Sequence, residues 1–234
     1  MQIRLITDFD GPIVDVSERY YSVYQFCLKS TQRQGQLINC LSKPEFWKLK
    51  RARVPETEIG RLSGLDESQA QAFAQLRRQT VHTMPYFEHD TLVPGAVAAL
   101  EKLQEAGVDL AVMTMRRVRE LDYALSRYEL SRFFLPDHRY CLSNDYVKTK
   151  DIEDKPPLME RALAELPTTE LLWMVGDTEA DILAAKTHGV TSIAVLCGIR
   201  DRTQLERYEP DFIVEDLCAA ADLVLPQLAV SGNS

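Results

Sequence analysis

The 234-residue chain has no run of about eighteen apolar residues and no apolar leader, since Arg4 and Asp8 interrupt its first residues. Neither a membrane span nor a secretory signal is expected. It also has no surplus of positive charge: 27 Lys and Arg face 35 Asp and Glu, for a net charge of -8. This argues against nonspecific nucleic-acid binding, which needs basic stripes to displace counterions from phosphates. Cysteine is scarce and unpatterned. Cys27, Cys40, Cys141, Cys197 and Cys218 are five in number, an odd count without any C-x-x-C pair, so neither a disulfide framework nor a thiolate metal site is encoded. Reduced thiols point to the cytoplasm, and the absent basic surface points to small-molecule partners. What remains is ordinary, at 45% hydrophobic and 26% charged. A chain of this length holds one medium domain, or a domain with an insertion.

Two regimes divide the chain. Residues 16–90 are helical in pattern, with Tyr20, Tyr24, Cys27 and Leu28 at helical spacing. Pro44, Pro55, Gly60 and Gly64 punctuate the block into four helices, and no strand is expected in it. Residues 1–15 and 91–234 alternate instead between strand and helix, which predicts an α/β, doubly wound parallel sheet. Expected strands cover Ile3 to Ile6, Val108 to Met113, Arg139 to Leu142, Leu171 to Val175, Ser192 to Leu196 and Phe212 to Val214. Expected helices include Pro94 to Ala106, Arg117 to Tyr128 and Pro156 to Leu166. The helical block is then an insertion placed over the ligand-binding edge of the sheet, as a lid. The tail, Ser231 to Ser234, is expected to fray.

Acids gather where strands end. The run Ile3-Arg-Leu-Ile-Thr-Asp8-Phe-Asp10-Gly11-Pro12 delivers two carboxylates into a turn, and like charges so close call for a cation between them. Leu171-Leu-Trp-Met-Val-Gly-Asp177-Thr-Glu-Ala-Asp181 repeats the device, and a parallel sheet brings both pairs to one edge. The competing reading makes Asp177 a helix N-cap, with Asp181 and Glu179 favouring the helix dipole. Leu110-Ala-Val-Met-Thr114 ends a third strand in a hydroxyl, with Met115, Arg116 and Arg117 opening the next helix, whose amides could hold a phosphoryl oxygen. Lys155, ahead of Pro156 and Pro157, stands where a helix begins, and its ammonium could reach the carboxylates. Lys148 and Lys150 are alternatives to it.

The order Asp-Phe-Asp-Gly, Thr114, Lys155-Pro156, Gly-Asp-Thr-Glu-Ala-Asp closely resembles the haloacid dehalogenase superfamily, in its branch with a helical cap after the first strand. The resemblance covers nearly the whole chain and implies a Rossmann-like core with an all-helical cap. It implies a Mg²⁺-dependent phosphatase acting on a small phosphate ester. Asp8 would be the nucleophile and Asp10 the general acid and base. Thr114 and Lys155 would hold the phosphoryl group. Asp8, Asp10 through its backbone carbonyl, Asp177 and Asp181 would hold the metal. Met115 departs from the pattern, standing where many relatives carry a small polar residue. Asp10 argues against a dehalogenase, which lacks that acid. A phosphomutase of the β-phosphoglucomutase type shares the core residues, and a noncatalytic binding protein is the alternative from another class. The basic, aromatic segment from Lys43 to Arg53, with Lys50, Arg51 and Arg53, is a candidate for meeting an anionic substrate.

Overall fold

The computed structural model describes residues 2–230, so the tail from Ser231 lies outside the described residues. Strand β1 (Ile3–Thr7) is buried throughout. Arg4, its one charged residue, pairs with Asp109 at 2.6 Å and donates to the Pro167 carbonyl at 2.7 Å. Past β1 the chain forms β2 (Val14–Asp15), which pairs antiparallel with β3 (Thr91–Leu92).

Between these two short strands lie four helices, α1 (Ser17–Thr31), α2 (Lys43–Arg51), α3 (Glu56–Leu62) and α4 (Glu67–Thr80), then a 3-10 turn over Met84–His89. They enclose a core of their own around Val23, Tyr24, Phe46 and Phe73. Tyr24 stacks on Phe46 at 4.7 Å between ring centroids and meets Phe73 edge-on at 6.0 Å. Burying each such ring stabilises the block by about 1.5–3 kcal/mol.

The rest of the chain is α5 (Ala96–Glu105), β4 (Asp109–Arg117), α6 (Val118–Arg127), β5 (Arg139–Leu142), α7 (Asp151–Glu165), β6 (Leu171–Gly176), α8 (Glu179–Thr187), β7 (Thr191–Val195), α9 (Arg202–Glu206), β8 (Phe212–Val214), α10 (Leu217–Val224) and α11 (Pro226–Val230). The sheet order is β5-β4-β1-β6-β7-β8, with every pair parallel. This is the doubly wound α/β fold that the alternation of elements predicts. Strand periodicity divides the core. Leu5, Val112, Val175 and Ile193 pack toward α5 and α10, while Ile6, Ala111, Met113 and Met174 pack toward α7 and α8. Because the chain winds outward from β1 through β4 and β5, then returns to β6 on the other side, a crevice opens at the carboxyl ends of β1 and β6. Among the described residues no helix is long and apolar enough to cross a membrane.

Two elements differ from expectation. β4 does not stop at Met113 but runs on to Arg117, because a register shift between Met113 and Arg117 lets it keep pairing with β5. Thr114, Met115, Arg116 and Arg117 therefore lie in a strand, and Arg117 is the N-cap of α6. Helix α7 begins at Asp151, ahead of Lys155, with both prolines inside it. Asp154 secures this early start by accepting from the Thr149 amide and hydroxyl, both at 2.8 Å, and from the Tyr146 hydroxyl at 2.9 Å.

Candidate active site

Residue Asp8 follows the last residue of β1, and its amide donates to the Val175 carbonyl at 2.7 Å, level with the end of β6. The Asp8 Oδ1 atom accepts from the Phe9 amide at 2.6 Å, and Oδ2 meets Lys155 Nζ at 2.8 Å. Asp177 follows Gly176 at the end of β6, and its Oδ2 accepts from the Ile199 amide at 2.6 Å. Asp181, in the first turn of α8, accepts through Oδ2 from the Thr178 amide at 2.9 Å and hydroxyl at 2.7 Å. Its other oxygen contacts Lys155 Nζ. Thr178, not Asp177, is the N-cap, with Asp181 completing a capping box. Asp177 is thus free of capping. Asp8, Asp177 and Asp181 each bring a carboxylate oxygen within 4.8 Å of the others, and all three residues are buried.

Three buried carboxylates face one buried ammonium, and the acidities of Asp8 and Asp177 register the imbalance. Burial pushes the Asp8 carboxyl well above the usual range, against the pull of Lys155 and with the push of Asp181 and Asp177. Asp177 is pushed up to about 7, first by burial and then by Asp181. Burial works against the charge of Lys155, but Asp181 and Asp8 outweigh it and hold the ammonium protonated.

The backbone around these acids leaves no room for side chains. A Cβ placed on Gly11, Gly176 or Gly198 would come within 2.3, 2.0 and 1.9 Å, respectively, of carboxylate-bearing Asp177 or Asp181. Gly11 also adopts a φ of 95°, which disfavours any other residue. Crowded, hard oxygen donors with excess negative charge, held in a glycine-lined cradle, fit a divalent cation such as Mg²⁺.

The side chain of Asp10 lies in different company. Arg116 donates to its Oδ1 through Nε at 2.8 Å, and Arg19 to its Oδ2 through a terminal nitrogen at 2.9 Å. The same two guanidiniums pair with Asp90, at 2.5 Å from Arg116 and 3.0 Å from Arg19. Burial raises the Asp10 carboxyl, but Arg116 and Arg19 outweigh it and hold the group far below the usual range. Thr114, 2% exposed, accepts from the Arg116 amide at 3.2 Å. It lines one cavity together with Asp8, Asp10, Lys155 and Asp177.

A HAD-hydrolase-like family model matches residues 154–220, which carry Lys155, Asp177 and Asp181. Over 243 aligned residues the chain is 27% identical to a phosphoglycolate phosphatase of Pseudomonas fluorescens, covering 97% of this chain and 85% of that protein. It is 25% identical over 221 residues to the pyrophosphatase PpaX of Oceanobacillus iheyensis, covering 93% and 94%. Its fold matches a haloacid dehalogenase-like family hydrolase from Streptococcus pneumoniae with a TM-score of 0.68 at 21% identity, over 95% of this chain and 98% of that one. The chain is similar to haloacid dehalogenase-like hydrolases of the phosphatase type.

Asp8, Lys155, Asp177 and Asp181 form one cluster, while Asp10 and Thr114 line the adjoining cavity. Lys148 lines the cavity too and pairs with Asp151 at 2.9 Å, whereas Lys150 is exposed and pairs with Glu153. The basic segment behaves differently from a substrate-binding patch. Lys50 pairs with Glu56. Arg51 donates to the Leu196 carbonyl at 2.7 Å, and Arg53 pairs with Glu179 at 3.2 Å, so both fasten α2 and its following turn to the sheet domain. Arg19, Asp90 and Arg116 escaped the sequence reading as site residues. One signal was available for Arg116: in a strand it shares a face with Thr114, two residues before it.

Proposed function

We propose that the protein is a Mg²⁺-dependent phosphatase that hydrolyses small phosphate esters in the cytoplasm through a phosphoryl group carried on Asp8. The observation that carries this reading is the convergence of Asp8, Asp177 and Asp181 within 4.8 Å, with Lys155 paired to Asp8. A carboxylate oxygen of Asp8 forms a bond to phosphorus as the bond from phosphorus to the leaving oxygen breaks. Asp10, protonated once Arg19 has withdrawn from it, gives that oxygen its proton, then takes one from the water whose oxygen attacks the phosphorylated Asp8. The bond from Asp8 to phosphorus breaks and inorganic phosphate leaves. Thr114 and Lys155 hold the phosphoryl oxygens in line, and Lys155 also orients Asp8. Mg²⁺, held by Asp8, the Asp10 backbone carbonyl, Asp177 and Asp181, would supply the positive charge that lets an anionic nucleophile meet an anionic substrate.

Residues 16–90, with their own core and two connections through β2 and β3, act as a cap on the sheet domain formed by residues 1–15 and 91–234. Asp10 precedes one connection and Asp90 the other. The test is release of free phosphate from a panel headed by p-nitrophenyl phosphate, phosphoglycolate and pyrophosphate, with Mg²⁺ and with chelator. Mg²⁺-dependent release is expected. Conversion of a sugar phosphate to its isomer, without phosphate release, would favour the mutase, and inertness across the panel would overturn the reading.

A further inference from the structure

The ring made by Asp10, Arg116, Asp90 and Arg19 has a geometry that bulk ion pairing does not require. The Arg19 side chain is 0% exposed, Arg116 3% and Asp90 1%, while Asp10, at 26%, is the most exposed member; Asp10 and Arg116 line the cavity. Phe87 covers both guanidiniums, with each central carbon 4.6 Å from its ring centroid, and Phe9 lies under Arg116 at 5.0 Å. Two arginines and two aspartates close the circuit, so it needs no outside ion. Burying four charges away from water is costly even when they are paired. A hydrophobic hinge would hold the two domains together at lower cost.

The four members also come from distinct places. Arg116 stands on β4 of the sheet domain, and Arg19 on the first turn of α1 in the helical block. Asp10 and Asp90 flank the two connecting strands. Asp10 is therefore held by one oxygen to the sheet domain and by the other to the cap. A displacement of the cap would withdraw Arg19 from Oδ2 while leaving Arg116 on Oδ1.

We propose that Arg116 is a positioning residue for Asp10, anchoring Oδ1 on the sheet domain so that Oδ2, once Arg19 moves with the cap, faces the leaving oxygen of the substrate. The inference rests on the phosphatase reading, and it assigns to Arg116 no contact with substrate. Asp90 serves as the counter-ion that keeps the anchor neutral and oriented. Positioning of this kind matters in proportion to the need for a proton: p-nitrophenolate leaves as a stable anion, whereas an alkoxide must be protonated as it departs.

The experiment compares kcat for p-nitrophenyl phosphate with kcat for the best alkyl phosphate of the panel, in the wild type, Arg116→Met, Arg116→Lys and the charge-balanced double variant Arg116→Met with Asp90→Asn. Proton transfer by a positioned side chain is worth roughly 10²–10⁴-fold. Losing the anchor is expected to lower the alkyl-to-nitrophenyl ratio by about tenfold or more, with KM for both substrates nearly unchanged. Arg116→Lys should restore part of the ratio. The double variant, which leaves one arginine facing one aspartate, should show the same selective loss while guarding against an unfolding artefact. A ratio that stays constant in both Met variants, or that rises, overturns the proposal. A wild type that hydrolyses neither substrate refutes the phosphatase reading instead, so the two failures are distinct.

Discussion

Two buried charge clusters sit side by side at one edge of the sheet, and they are built on opposite principles. The cluster of Asp8, Asp177, Asp181 and Lys155 sets three acids against one base, and two of the acids, Asp8 and Asp177, are pushed toward neutrality by burial and by neighbouring carboxylates. The ring of Asp10, Asp90, Arg19 and Arg116 is balanced within itself, and with both arginines in place Asp10 is held ionised. The contrast teaches that burial alone does not announce a ligand. A buried charge set that is unbalanced has an outstanding requirement for a cation, while a balanced one is complete as it stands and acts on geometry.

The comparison breaks most visibly at Asp8. Replacing it with Asn removes the proposed nucleophile while keeping the side chain's shape, and phosphate release is expected to fall by at least about 10³-fold, with the circular dichroism spectrum unchanged. Retained activity would separate the unbalanced cluster from the chemistry.

The ring should respond in stability. Asp90→Asn leaves two buried guanidiniums facing one carboxylate, and breaking a buried pair in this way costs about 3–5 kcal/mol. Urea denaturation should show that loss, and Mg²⁺ should not restore it. Restoration by Mg²⁺ would merge the two clusters into one.

A smaller effect concerns pH in the absence of metal. Asp177 is pushed up to about 7 in the folded protein, while a free carboxyl titrates near roughly 4. Between those values the folded state binds more protons than the unfolded state, so stability is greater at the acidic end and declines as pH rises through about 7. Asp90, pushed up to about 6 by burial, adds in the same direction. Metal-free protein should therefore melt higher at about pH 5.5 than at about pH 8, and Asp177→Asn should flatten that slope. The least effect is expected outside both clusters. Lys102, paired with Asp222 on the surface with both side chains more than half exposed, should change stability by less than about 1 kcal/mol when replaced by Ala.

Much of this architecture was legible in the sequence, for a physical reason. Asp8 and Asp177 each directly follow a short apolar run, and a parallel sheet carries such ends to one edge whatever the loops do. Asp181 and Lys155 could be placed by their helical neighbours, though the start of α7 could not. That start depends on Asp154 capturing Thr149 and Tyr146, and propensity alone favours a start at the prolines. The continuation of β4 through Thr114 and Arg116 depends on a register shift against β5, which no local pattern encodes. The ring was the least legible feature. Its members stand at positions 10, 19, 90 and 116, in four separate segments, and pairing between distant charges leaves no periodic trace. Arg19 reads as the solvated face of a helix until Phe87, Asp10 and Asp90 close over it.

The central claim is that the unbalanced cluster is built to hold a divalent cation. Calorimetric titration of the metal-free protein with Mg²⁺ at about pH 7.5, for the wild type and for Asp177→Asn, tests it most directly. The account predicts one ion bound per wild-type chain and binding weakened by at least about tenfold in the variant. A wild type that takes up no ion, or a variant that binds it equally well, would contradict the account.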